Sequence, residues 1–149
     1  MPFLRRRKVP PVSLPPRLTE DEIKRAIAEF LLSEGYEIRN VAWGHTRGVD
    51  IEAAGPGGRL LIEVKGDAQT PQMQGNYFLG ALGELLQRMD DANAIYAVGL
   101  PDNARFRGLV ARFPDEARRR LGLWWIFVRR DTVRGGVVEY VVEALHPPT

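Results

Sequence analysis

Cysteine is absent from this chain of 149 residues, and histidine occurs only as His45 and His146. The first absence excludes disulfide staples, zinc–thiolate sites and cysteine nucleophiles. The second excludes, within one chain, any centre built on three or more imidazoles. A metal site would rely on oxygen ligands, which suits magnesium or manganese. Long apolar runs are missing too: none approaches the roughly 20 residues that a membrane-crossing helix needs. The opening MPFLRRRKVPPVSLPP carries basic residues with no continuous apolar stretch behind them, unlike a secretory signal. The expectation is a cytoplasmic protein with no membrane partner. Net charge is small, +2, so bulk charge does not announce a polyanionic partner. The run Gly55-Pro56-Gly57-Gly58 lacks the helix and lysine that follow in a phosphate-binding loop, so it reads as a turn, and no nucleotide cofactor is expected.

What is present is ordinary for a folded domain: 44% hydrophobic and 27% charged residues, in a length that suits one domain with a real core. Residues 1–18 hold Pro2, Pro10, Pro11, Pro15 and Pro16 and read as an extended, Pro/Arg-rich arm whose prolines block helix and ladder alike. Residues 19–149 read as a single domain. Thr19 with Glu22 three residues on has the spacing of a capping box. Ile23, Ile27, Phe30 and Leu31 form one apolar stripe, and Gly35 ends the helix. Strands are expected over 36–43, 48–54 and 59–65, a helix over 71–90, and a buried strand over 94–100. Short helices over 104–113 and 114–121 follow, then strands over 123–128 and 137–145, the last at a sheet edge. The order predicts an antiparallel three-strand meander, a crossover helix, and a mixed sheet with helices on both faces.

The stretch GVDIEAAGPGGRLLIEVKGD, residues 48–67, carries ionic side chains inside strand-like runs. If Ala54 faces Arg59 across the turn, paired numbers sum to 113. Ala53 then meets Leu60, Ile51 meets Ile62 and Val49 meets Val64, all apolar and on one face. A one-residue slip destroys that match. The same register sets Asp50 opposite Glu63, with Lys65 on their face two residues along. Carboxylates with Cβ atoms about 5 Å apart repel unless water screens them or a cation sits between them. A divalent ion suits the two carboxylates together with the Val64 backbone carbonyl. Lys65 could then orient an attacking water or steady developing charge. It is one of three lysines, with Lys8 and Lys24, in a chain that otherwise uses arginine.

Asp50, followed after twelve residues by Glu63-Val64-Lys65, resembles the core motif of the PD-(D/E)XK, or restriction-endonuclease-like, nuclease superfamily. The nearest flavour is its Mrr-type and Holliday junction resolvase-like branches. The resemblance covers about residues 19–100 and includes the Gly35-Tyr36 pair that closes the first helix. It implies an αβββαβ core and cleavage of DNA phosphodiesters, with Mg2+ or Mn2+ held by Asp50 and Glu63 and with Lys65 assisting the water. Val49 stands where many relatives have proline. Many also carry a further acid on the first helix, for which Glu22 is the candidate and Glu20, Asp21 and Glu29 compete. A helical glutamine is common as well, and Gln74 or Gln72 fills that place.

Nucleic-acid contacts are expected from His45 and Arg47 in the loop leading to Asp50, and from Arg5, Arg6 and Arg7 in the arm. Symmetric cutting of two strands needs two sites, so a homodimer is plausible, with Trp124, Trp125 and the 76–89 helix as interface elements. The alternative is a catalytically inactive module that keeps the fold and binds DNA or a protein.

Overall fold

The computed structural model describes residues 3–8, 14–135 and 137–149, without the side chains of 4–8, 133 and 134. Chain order is β1 (Phe3–Lys8), α1 (Glu20–Ser33), β2 (Glu37–Val41), β3 (Ile51–Gly55), β4 (Gly58–Val64), α2 (Pro71–Gln87), β5 (Ile95–Pro101), α3 (Ala104–Ala111), α4 (Asp115–Leu121), β6 (Leu123–Arg134) and β7 (Val137–Leu145). The expected αβββαβ order is therefore the run from α1 to β5. All seven strands form one mixed sheet in the order β1-β7-β6-β5-β4-β3-β2. β2, β3 and β4 are antiparallel, β4–β5 and β5–β6 are parallel, and β7 returns antiparallel to β6.

Local chemistry explains the elements. Thr19 Oγ1 accepts from Glu22 N at 3.1 Å and caps α1. Gly35 leaves α1 with φ +88°, a left-handed conformation that glycine adopts without steric cost. Thr70 caps α2, and Pro71 fills its first turn, where a missing N–H is harmless. The sheet separates two cores. Ile23, Ile27 and Leu31 of α1 cover Ile51, Leu60, Ile62 and Val64 on one face. Phe78, Ala81 and Leu85 of α2 cover Leu61, Tyr96, Val98 and Trp125 on the other.

The hairpin register is the one the apolar pairs require: Ile51 faces Ile62, Ala53 faces Leu60 and Ala54 faces Arg59. Gly55 and Gly58 also pair, so the turn itself is Pro56-Gly57. Two expectations are corrected. The arm is extended, but Phe3–Lys8 pairs antiparallel with β7, because the stretch between Pro2 and Pro10 carries every N–H that a ladder needs; β7 is consequently interior. Val49 does not join Val64 on the α1 face but packs with the α2-side cluster, because β3 begins only at Ile51 and the alternation stops at Asp50.

Candidate active site

The site forms where β3 and β4 part company. Lys65 N–H bonds to Gly99 O of β5 at 3.1 Å, so Val64, one residue earlier, turns its N–H and carbonyl toward β3. The Asp50 carboxylate meets that N–H at 2.7 Å, where a continued ladder would have placed a backbone carbonyl. Asp50 also hydrogen-bonds to the Glu63 carboxyl. Glu63 is 1% exposed. Burial, then the bond to Asp50 and its charge, push the Glu63 carboxyl up to about 8, against the opposing pull of the Arg88 guanidinium. At neutral pH the Glu63 carboxyl therefore keeps its proton, with Arg88 Nε donating to Glu63 Oε1.

Cations from both helices surround the pair. Lys24 of α1 is fully buried; its ammonium donates to Ala42 O at 2.5 Å and lies 3.3 Å from Asp50, 3.2 Å from Glu20 and 3.6 Å from Asp21. Burial alone would lower its pKa, but Asp50 and Glu20 outweigh that and hold it above the usual lysine value. Lys65 reaches Glu84 of α2 at 3.1 Å. Its stem also lies 3.9 Å from the position of a Cβ on Gly80. Gly80, Glu84 and Arg88 recur every four residues, so one row of α2 and its C-cap faces Lys65 and Glu63.

Fully ionised, this cluster sets five carboxylates (Glu20, Asp21, Asp50, Glu63, Glu84) against three cationic side chains (Lys24, Lys65, Arg88). The donors are hard oxygens and the charge excess is negative, as a divalent cation requires. Among the described residues no cluster of three or more His, Cys, Asp or Glu side chains forms a metal cage. The carboxylates that this site could offer a hard cation are thus Asp50 and Glu63, which lie against each other.

The remaining expected residues fall elsewhere. Glu22 does not reach Asp50. Its carboxylate takes two bonds from Arg130 at 2.6 and 2.8 Å and the Tyr140 hydroxyl at 2.6 Å. On α1 it points across the sheet toward β6 and β7, while Glu20 and Asp21 are the acids linked to the site through Lys24. Gln74 is committed to Asp67 Oδ1 at 2.8 Å, which braces the segment after Lys65 rather than the carboxylates. His45 and Arg47 are exposed in the 43–48 loop, which Gly44 N fastens to Asp21 at 3.0 Å, beside the Lys24 cluster. The backbone of Arg5, Arg6 and Arg7 lies in β1; their side chains fall outside the described residues. Trp125 is core, whereas Trp124 is half-buried against His146.

Lys24, Glu84 and Arg88 were not anticipated. Two signals were available: a lysine in a lysine-poor chain, set three and four residues after two acids beside the buried Ile23, and a Glu–Arg pair at helical spacing. Among the described residues no helix is long and apolar enough to cross a membrane.

No family model and no curated protein matches the chain. Among solved structures, an XisH family protein from Nostoc punctiforme PCC 73102 is similar at 16% identity and a TM-score of 0.48, over 70% of this chain and 88% of that one.

Proposed function

We propose that the protein is a metal-dependent nuclease that cleaves DNA phosphodiester bonds with Mg2+ or Mn2+. The observation that carries this reading is the contact between the Asp50 and Glu63 carboxyls at the end of β4, with Lys65 two residues beyond Glu63, just past the strand. Like charges are not placed together in a buried position unless a proton or a cation holds them. Asp50, Glu63 and the Val64 carbonyl would hold the ion. When bound, it would supply positive charge to the scissile phosphate and lower the pKa of the attacking water.

The protein's own part is positioning. Glu63 gives up its proton on loading, and Lys24 keeps Asp50 aimed at the Val64 amide. Lys65 is held by a half-exposed Glu84, a pairing weak enough for a phosphate oxygen to replace. His45 and Arg47 stand on the loop that borders the cluster, where a phosphate backbone would pass.

A second reading, a non-catalytic module with the same fold, is favoured by one specific observation. Asp50, Glu63 and Lys65 each already have an ionic partner from within the chain: Lys24, Arg88 and Glu84. Incubation with branched, nicked, modified and single-stranded DNAs in Mg2+ or Mn2+ separates the two. Cleavage lost in Asp50→Asn and Lys65→Ala supports the nuclease. DNA binding without cleavage in either metal, unchanged by Asp50→Asn, supports the module.

A further inference from the structure

α2 turns a face without charge to solvent. Leu79 is 65% exposed and Leu86 51%, and between them Gly83 has open space where a Cβ would stand. These three lie opposite Phe78, Ala81 and Leu85, which hold the helix on the sheet. The sole charged side chain between Pro71 and Gln87 is Glu84, and it is turned to Lys65. Two exposed leucines flanking a notch on an uncharged helix face mark a contact surface rather than a solvated one.

We infer that a second copy of this chain docks here, α2 against α2, antiparallel about a two-fold axis beside Gly83. Antiparallel symmetry pairs residues equally distant from the axis, so Leu79 meets Leu86 of the second copy, and the glycine lets the two backbones approach. Charge complementarity selects this orientation. At the N-terminal end of α2, Arg105 donates to Pro71 O at 3.2 Å and lies 3.0 Å from the Cβ position on Gly75. Just past the C-terminal end, Asp90 is exposed. Antiparallel packing brings each Asp90 to the Arg105 of the other copy, whereas parallel packing sets like charge against like. Leu86 of the second copy also finds a receptacle, a groove of about 450 Å3 between α2 and α3 walled by Leu79, Leu109 and Phe113. An isologous patch needs this self-complementarity.

The surface is independent of whether the carboxylate pair cleaves anything, and so is its test. Sedimentation of the full chain over a concentration series is expected to show a dimer. Leu79→Glu and Leu86→Glu should each yield a monomer with unchanged circular dichroism. Arg105→Glu alone should weaken the dimer, and adding Asp90→Arg should restore it. Because the chain has no cysteine, Gly83→Cys should form an oxidised cross-linked dimer while Arg120→Cys, on the far α4, should not. A wild-type monomer at every concentration, which would leave the face to another partner, overturns the inference. So does a dimer indifferent to Leu79→Glu, or, if that variant does not fold, a Gly83→Cys protein that fails to cross-link.

Discussion

Glu63 is a buried acid whose proton is worth more to the folded chain than to the unfolded one. Its folded pKa, about 8, lies above its ordinary value. Its stabilising contribution is therefore complete below the ordinary glutamate range and is lost as pH rises through about 8. The unfolding free energy from urea titration should fall between about pH 5 and 8, with a slope approaching 1.4 kcal/mol per pH unit. Glu63→Gln, which keeps shape and a donor toward Asp50, should flatten that slope. A wild-type profile that is flat over this range would place the proton elsewhere. The same linkage predicts that Mn2+ binds more tightly as pH rises toward 8, because loading displaces that proton; titration calorimetry at two pH values reads this. At this scale the sequence pointed to the pair: the apolar register Ile51–Ile62 and Ala53–Leu60 brings Asp50 near Glu63, although the ladder itself ends at Ile51. It only hinted at Lys24 and Arg88, because a counter-ion arriving from a helix depends on how that helix lies on the sheet, which strand periodicity does not encode.

The elements position the site through a few close approaches. Gly66 is one. A Cβ there would stand 2.7 Å from the backbone nitrogen of Glu20, at the start of α1, while Asp67 N bonds to Leu18 O at 2.9 Å. Gly66→Ala should force β4 and α1 apart, costing about 1–3 kcal/mol by chemical denaturation and lowering any cleavage rate through a misplaced Lys65. Arg88→Gln removes the one influence that holds Glu63 down, so the pH window of stability loss should move upward; a window that stays put would mean that the ion pair does not act on this proton. Element types and order were readable because capping residues, glycine stops and period-two alternation all agreed. The differences were where local signals compete with tertiary ones: β6 continues to Arg134, past the apolar run that ends at Val128, because β7 offers it a partner along that length.

Across the whole molecule, a polar tie joins the N-terminal part of the chain to its C-terminal part. Glu22 binds Arg130 and Tyr140, and Arg130 donates to Pro15 O at 2.7 Å, so α1, β6, β7 and the end of the arm meet around the Glu22–Arg130 pair. Glu22→Ala should cost about 1.5–3 kcal/mol in urea unfolding while leaving metal-induced stabilisation intact, which a metal-ligand role for Glu22 would not permit. That tie was hidden in the sequence because its members lie more than 100 positions apart. The central claim is that Asp50 and Glu63 together hold a divalent ion, and the melting temperature in Mn2+ at pH 8 tests it most directly. At 100 times the dissociation constant the wild-type chain should gain about 2.7 kcal/mol, or roughly 5–10 °C, a gain lost with chelator and in Asp50→Asn. A wild-type chain whose melting temperature ignores Mn2+ and Mg2+, or a gain that survives Asp50→Asn, would contradict the account.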